Sequence, residues 1–333
     1  MTSESKWNEM LDEFRALGGT AENIRLGYGP LGRGLFPVDP AKPVDIRIPE
    51  NLLVPVDHVI FDNDVFRVRD DSWVSGRARA FLEQYERDFA WGTKAREDIE
   101  RVLTIMHTLP EELRGILENR YGLGRFFQPL TPEWVQSAFL GTRAINSEKS
   151  AVVMPIIELA NHGGSATYGG KGGVWLQGKF EEEVLVRYSL SADTYEILSN
   201  WLFASQESIA FSMPMTYTKD GREFRIDREF DKQKWPWVPK TSVDGNTISL
   251  NYLLLGDQKF PRVPRAAFRK AMANAGLEPQ DELFEEIQHA NRLNFLNLIG
   301  ELEGIDAPAA RLIRTMARYQ LNALSSYYGV RQL

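Results

Sequence analysis

The sequence predicts an α+β fold, and three observations carry that prediction. Short strand-like segments occupy residues 20–56 and return at 151–190; helical periodicity fills the stretch between them and closes the chain at 264–328. No strand–helix–strand rhythm and no repeat of fixed period runs along it, which sets aside the doubly wound and solenoid classes. With 333 residues, 43% apolar and 26% charged, the chain has an ordinary globular composition. That length suffices for two domains or one elaborated one.

Each element has a local cause. A first helix is expected over residues 4–17, where Trp7, Met10, Leu11, Phe14 and Leu17 recur at helical spacing until Gly18 and Gly19 stop it. Residues 20–56 are rich in glycine and proline, with apolar runs at 24–26, 35–36 and 52–54 that read as brief strands between turns. From about Asp70 to Ala144 the texture is helical. Val74, Ala78, Phe81, Leu82, Tyr85 and Phe89 form one stripe; Ile99, Val102, Leu103 and Met106 form another. Thr131, Pro132 and Glu133 spell a helix start: a hydroxyl cap, a proline in the first turn and an acid at the positive end of the dipole.

The run 151–159 is continuously apolar and short for a helix, so it reads as a strand buried on both faces. A glycine-rich loop over 163–173 leads to strands at 173–176 and 183–190; the second sets Val184, Val186 and Tyr188 on one face. Ser191 and Asp193 offer caps to a helix carrying Tyr195, Leu198, Trp201 and Leu202. Asp220-Gly221 and Asp244-Gly245 mark hairpin turns within 213–260, where Trp235 and Trp237 read as packing aromatics. Helices close the chain at 266–275, 281–303 and 307–327.

Several function classes fall away. The chain has no cysteine, which removes disulfides, thiolate-held metals and thiol nucleophiles. His58, His107, His162 and His289 are scattered with no metal-binding spacing, so no metal site is expected. A net charge of −7 without a Lys/Arg block argues against binding nucleic acid through its phosphates. No G-x-S-x-G element supports a hydrolase. The opening MTSESKWNEM has no apolar signal core, and no stretch reaches the roughly 18 apolar residues of a membrane helix; the cytosol is the expected compartment.

Three local features invite chemistry. Gly29 to Gly34 fails the phosphate-loop spacings, and Pro37 follows where a helix should begin. What remains is a Gly-x-Gly turn, Gly32-Arg33-Gly34, that is either a plain reversal or a place where a ligand lies against bare backbone. Asn161 and His162 follow an apolar run directly and precede glycines, a position that presents amide and imidazole at a cavity edge or else ends a strand. Tyr188 ends another strand and on its own reads as a core tyrosine. The acidic triplet Glu181 to Glu183 reads as a solvated turn.

In order along the chain, these features resemble the SET-domain protein methyltransferases, in the subgroup of the Rubisco large-subunit lysine methyltransferase. The resemblance rests on Gly32-Arg33-Gly34-Leu35-Phe36, on Ile48 to Leu53 as a Pro-x-x-Leu element, and on Thr142-Arg143-Ala144-Ile145 as a drifted Ser-Arg-Ala-Phe element. It continues through Met154 to His162, then Tyr188, then Glu196 to Phe203. Glu158 stands where the family has Asp, Ser189 where Gly is common, and Trp201-Leu202 where Tyr-Gly is usual.

What the resemblance implies is a SET core of short sheets over 20–56 and 136–212, behind an N-terminal helix at 1–19. A helical insert would span 57–135, and a C-terminal hairpin and helical domain 213–333. It implies S-adenosylmethionine as methyl donor, contacted by Gly32, Arg33, Gly34, Arg143, Asn161, His162 and Tyr188. Tyr188 would be the catalytic residue, with Trp201 and Phe203 lining the channel for a protein side chain, lysine first and histidine next. The alternative is a catalytically degenerate SET-fold module that docks a partner protein.

Overall fold

Glycine and proline punctuate residues 20–56, and each interruption becomes a turn between short strands. A computed structural model describes residues 3–146, 150–228 and 238–325. Trp235, Trp237 and the end of the expected last helix (326–327) lie outside the described residues. The chain gathers into two compact units, Met1–Arg101 with Pro129–Leu190, and Val102–Gln128 with Ser191–Leu333. Both mix helices with small sheets, so the architecture is α+β.

In the first unit, the helix Ser3–Ala16 buries Trp7, Met10, Leu11 and Phe14. Thr20–Glu22 and Gly173–Gly178 flank Val44–Pro49 in an antiparallel three-stranded sheet, with Ala21 and Leu176 both in register with Ile46. Ile24–Gly29 and Gly32–Pro37 form a hairpin, and Val54–Pro55, Ala151–Val153 and Ile145–Asn146 a third small sheet. Asn161–His162 runs parallel to Leu185–Val186. Two helices pack here. Gly76–Phe89 is capped by Ser75, whose hydroxyl accepts from the Ala78 amide; Pro132–Arg143 is capped by Thr131, which accepts from Trp134. Between them Trp91 meets Phe61 and Phe139 with ring centroids 4.7 and 4.9 Å apart. Fully buried side chains such as Leu35, Ile46 and Phe139 each contribute about 1.5–3 kcal/mol by leaving water.

The strand expected over 151–159 is shorter than its apolar run. It ends at Val153; Pro155 has no N–H to continue a ladder, and Ile156 takes φ 67° and ψ −63°, with the Ile157 amide donating to the Pro155 carbonyl at 2.7 Å. Residues Ile157–Leu159 then form a 3₁₀ turn. Such a φ is strained for a β-branched residue, and it holds because Ile156 is completely buried. The apolar run reports burial, not extension. Likewise, of the strand expected over 183–190, only Leu185–Val186 pairs as a strand, while its neighbour at 173–176 extends to Gly178. Two further strands, Val59–Asp62 and Val65–Val68, precede the helical stretch.

The second unit contains the helix Glu111–Tyr121, stopped by Gly122 at φ 65°. Its Tyr121 hydroxyl donates to the Asn294 carbonyl at 3.1 Å, and the Tyr121 carbonyl accepts from the Tyr195 hydroxyl at 2.8 Å. The expected hairpins form: Asp220 and Gly221, both at positive φ, join Met215–Lys219 to Arg222–Asp227. Lys240–Asp244 pairs with Thr247–Asn251, and the two hairpins join in parallel through Arg222–Asp227 and Thr247–Asn251. The helices Val263–Asn274, Asp281–Glu301 and Pro308–Ser325 complete it. Among the described residues no helix is long and apolar enough to cross a membrane.

Candidate functional site

The site grows from the hairpin Ile24–Gly29 and Gly32–Pro37. Gly27 faces Gly34 across it and Gly29 faces Gly32, so alternation gives one hairpin face four glycines in a row. Three elements meet that bare face. The Phe36 ring covers the first strand, where a Cβ added at Gly27 would lie 2.7 Å from it and one at Gly29 2.9 Å. On the second strand a Cβ at Gly34 would collide with the Glu183 carboxylate and lie 2.8 Å from Asn161 Nδ2. At Gly32 the space is open, and φ 95° independently requires glycine there. The Gly-x-Gly turn is therefore more than a reversal: Gly34 admits side chains from two distant stretches of the chain.

Asn161 is one of them. Its Nδ2 donates to the Arg33 carbonyl at 3.1 Å and to Glu183 Oε1 at 2.6 Å. Next to it, His162 Nδ1 accepts from the Tyr188 amide at 3.2 Å, which places the proton of a neutral ring on Nε2. The two rings meet edge to face, 5.1 Å between centroids. The Tyr188 hydroxyl donates to the Ala160 carbonyl at 3.0 Å. Burial pushes this phenol up to about 12, with Glu158 and Glu183 adding to the rise and Arg143 opposing it. Tyr188 is therefore a neutral hydrogen-bonding group at physiological pH. Residues 33–34, 161–162 and 188 come together.

Arg143 ends the Pro132–Arg143 helix and lies with its guanidinium carbon 4.5 Å from the Phe139 ring centroid. Its Nη1 donates to Thr142 Oγ1 at 3.0 Å, and its Nε stands 3.6 Å from Glu158 Oε2. Both Nε and Oε2 are buried without a hydrogen bond among the described residues. The other oxygen of Glu158 accepts from the Tyr85 hydroxyl at 2.9 Å. Burial raises the Glu158 carboxyl above its ordinary value, against the pull of Arg143, Tyr85 and Arg33. Glu86 is buried as well and pushed well up, first by burial and then by the charge of Glu158. The Arg33 side chain donates to Thr93 Oγ1 at 3.0 Å, so the group this residue offers to Asn161 is its carbonyl.

Trp201 and Phe203 belong to the second unit, at the end of the helix Thr194–Trp201 and just past Leu202, whose φ of 68° stops it. Both are half-buried. The sequence reading missed Glu183, assigned to a solvated turn: Glu181 and Glu182 are exposed, but Glu183 is 9% exposed and sits against the glycine face. It also missed Tyr168, in the glycine-rich loop, whose phenol burial pushes well up, with Tyr188 and Glu158 adding to the rise. The available signal was the alternation of glycines at 27, 29, 32 and 34, a face that something must cover. Among the described residues no cluster of three or more His, Asp or Glu is placed to hold a metal ion.

No family model matches the chain, and no curated protein matches it. Solved structures do. A structure of Rubisco LSMT bound to AdoMet is 14% identical with a TM-score of 0.40, over 99% of this chain and 91% of that one. The SET domain of LSMT bound to lysine and AdoHcy is 14% identical with a TM-score of 0.39, over 98% and 90%. Rubisco LSMT bound to sinefungin and monomethyllysine gives 14% and 0.39, over 99% and 91%. At scores of this size the likeness carries no argument about this chain's chemistry.

Proposed function

We propose that this chain is a SET-domain protein methyltransferase that uses S-adenosylmethionine to methylate a lysine side chain. One observation carries the reading: the Asn161 amide reaches the Arg33 carbonyl of the Gly-x-Gly turn, while the Tyr188 phenol bonds the residue just before Asn161. Those are the stretches that the sequence resemblance links to one cofactor site. The core is assigned to 20–56 and 136–212, with 57–135 as insert and 213–333 as C-terminal domain.

The residues present suit the cofactor. Arg143 has a buried Nε without a hydrogen bond among the described residues, and a guanidinium fork matches a carboxylate. The open backbone at Gly32 admits close approach, and Asn161 and His162 offer polar groups beside it. When bound, the cofactor supplies a methyl group on a cationic sulfonium. The protein's part is alignment. Tyr188, neutral and fixed by Ala160, orients the acceptor nitrogen, since an in-line displacement rewards geometry above all.

A lysine acceptor must first lose a proton. At an ordinary pKa of about 10.4, roughly one amine in a thousand is neutral near pH 7.4, a penalty of about 4 kcal/mol. Desolvation lowers that pKa. Aromatic surface, which the resemblance expects from Trp201 and Phe203, also tolerates a cation. A histidine acceptor needs a smaller shift.

Thermal unfolding with S-adenosylmethionine or its demethylated product tests the reading. Ligand at 100 times its dissociation constant adds about 2.7 kcal/mol, and no rise in melting temperature with either compound overturns it. Tyr188→Phe is expected to abolish methyl transfer while leaving that thermal shift intact. Unchanged biology on that substitution favours the partner-docking alternative.

A further inference from the structure

Asn161 reaches the glycine face with both amide hydrogens engaged. Arg33 O and Glu183 Oε1 are pure acceptors, so the atom between them must be the amide nitrogen. That fixes which way the amide points and makes its oxygen, Oδ1, an acceptor without a hydrogen bond among the described residues. The orientation depends on Glu183. This carboxylate is 9% exposed and wedged where Gly34 and Gly29 have no side chains, its Oε2 lying 3.2 Å from where a Gly29 Cβ would stand. Burying a carboxylate is costly unless it is engaged, and three residues acting together (Gly29, Gly34 and Asn161) accommodate this one.

We infer that Glu183 is a positioning residue for the candidate site: it locks the Asn161 amide so that Oδ1 accepts from the α-ammonium group of the cofactor. The inference rests on the cofactor reading above. The α-ammonium is the ligand group that gains from an aimed acceptor, because it brings three donors and no acceptor of its own. Without Glu183 the amide loses one of its two anchors and its orientation is no longer fixed. The gain from Glu183 is therefore selective for ligands that carry the amine.

Calorimetric titration of the full chain with S-adenosylhomocysteine and with an analogue lacking only the α-amino group tests this. In Glu183→Ala, affinity for the amine-bearing compound is expected to fall at least tenfold, with the des-amino analogue changed less than threefold. Glu183→Gln keeps an acceptor for Asn161 Nδ2 and is expected to bind both compounds within threefold of the unaltered chain. Equal weakening of both ligands in the alanine variant makes Glu183 merely structural and overturns the inference. So does a glutamine variant as impaired as a folded alanine variant, since charge and not amide orientation is then responsible; should the alanine variant fail to fold, the glutamine variant decides alone. Absence of binding of either compound to the unaltered chain removes the cofactor reading, and this inference with it.

Discussion

Each unit sets an arginine against a buried carboxylate, Arg228 nearly buried and Arg143 half-buried, and the two pairs are built in opposite ways. In the second unit Arg228 meets Asp193 through two bonds, 3.1 and 2.7 Å, and also donates to the Ser212 and Phe211 carbonyls. Asp193, fully buried, further accepts from the Glu196 and Phe211 amides and from Gln320. Burial favours loss of the arginine's proton, but the charge and hydrogen bonds of Asp193 hold Arg228 above its ordinary value. In the first unit Arg143 and Glu158 stand 3.6 Å apart, each with a buried polar atom that has no hydrogen bond among the described residues. A saturated pair holds a fold; an unsaturated one leaves capacity for a ligand.

The largest effect is expected where saturation is complete. Asp193→Asn removes the charge opposite a buried guanidinium and should cost about 3–5 kcal/mol, the usual penalty for orphaning one member of a buried pair. Urea unfolding measures it, and a loss under about 1 kcal/mol would show that the pair is not what holds this unit. Arg143→Ala should act on binding instead. Losing a charge-assisted bond worth about 1.5–3 kcal/mol weakens S-adenosylmethionine by about 10- to 100-fold. Its effect on unfolding should stay well below that of Asp193→Asn, and Arg143→Lys, without the fork, should restore only part of the affinity.

This contrast also marks what the sequence could reveal. Capping chemistry was legible: Asp193, read as a cap, forms a full capping box with Glu196, and Thr131 caps as its neighbours Pro132 and Glu133 require. So were the hairpin turns at Asp220-Gly221 and Asp244-Gly245. These signals act within a few residues. The Arg228 clamp was not legible, because it joins positions 35 residues apart through a fold that periodicity cannot specify. Glu183 was misread for a related reason. A run of three acids looks solvated, and only the glycine face 149 to 156 positions earlier in the chain gives the third a place to hide. The backbone reversal at Ile156 left no signal either, since an apolar run is the same string whether extended or turned.

A pH dependence follows from Glu196, next to the saturated pair. Burial pushes its carboxyl up to about 7 from an ordinary 4.5, Asp193 adds to the rise, and Arg228 opposes it. Below about pH 4.5 folded and unfolded chains both hold this proton; between there and about 7 only the folded chain does. Raising the pH through that window therefore drains stability, and above about 7 the loss from this group is complete. The melting temperature is expected to fall between pH 5 and pH 8, and Glu196→Gln to flatten the decline. An unchanged slope in that variant would assign the effect to other groups.

The smallest effect is expected at the other carboxylate, and it is the sharpest check on the contrast. Glu158→Gln removes the same charge as Asp193→Asn, from a side chain equally hidden from water. Burial already raises Glu158 despite Arg143, so its charged form is the disfavoured one, and the amide relieves that cost while keeping an acceptor for the Tyr85 hydroxyl. The change in unfolding free energy should stay within about 1 kcal/mol, the range of a single neutral hydrogen bond. Relative to the unaltered chain it should move toward stabilisation as pH rises, because the penalty of an ionised buried carboxylate grows in that direction. Arg143, released from a competing carboxylate, should bind S-adenosylmethionine at least as tightly as before. A loss matching that of Asp193→Asn would mean that Arg143 and Glu158 support the fold as their counterparts do, and that the unsaturated geometry leaves nothing for a ligand.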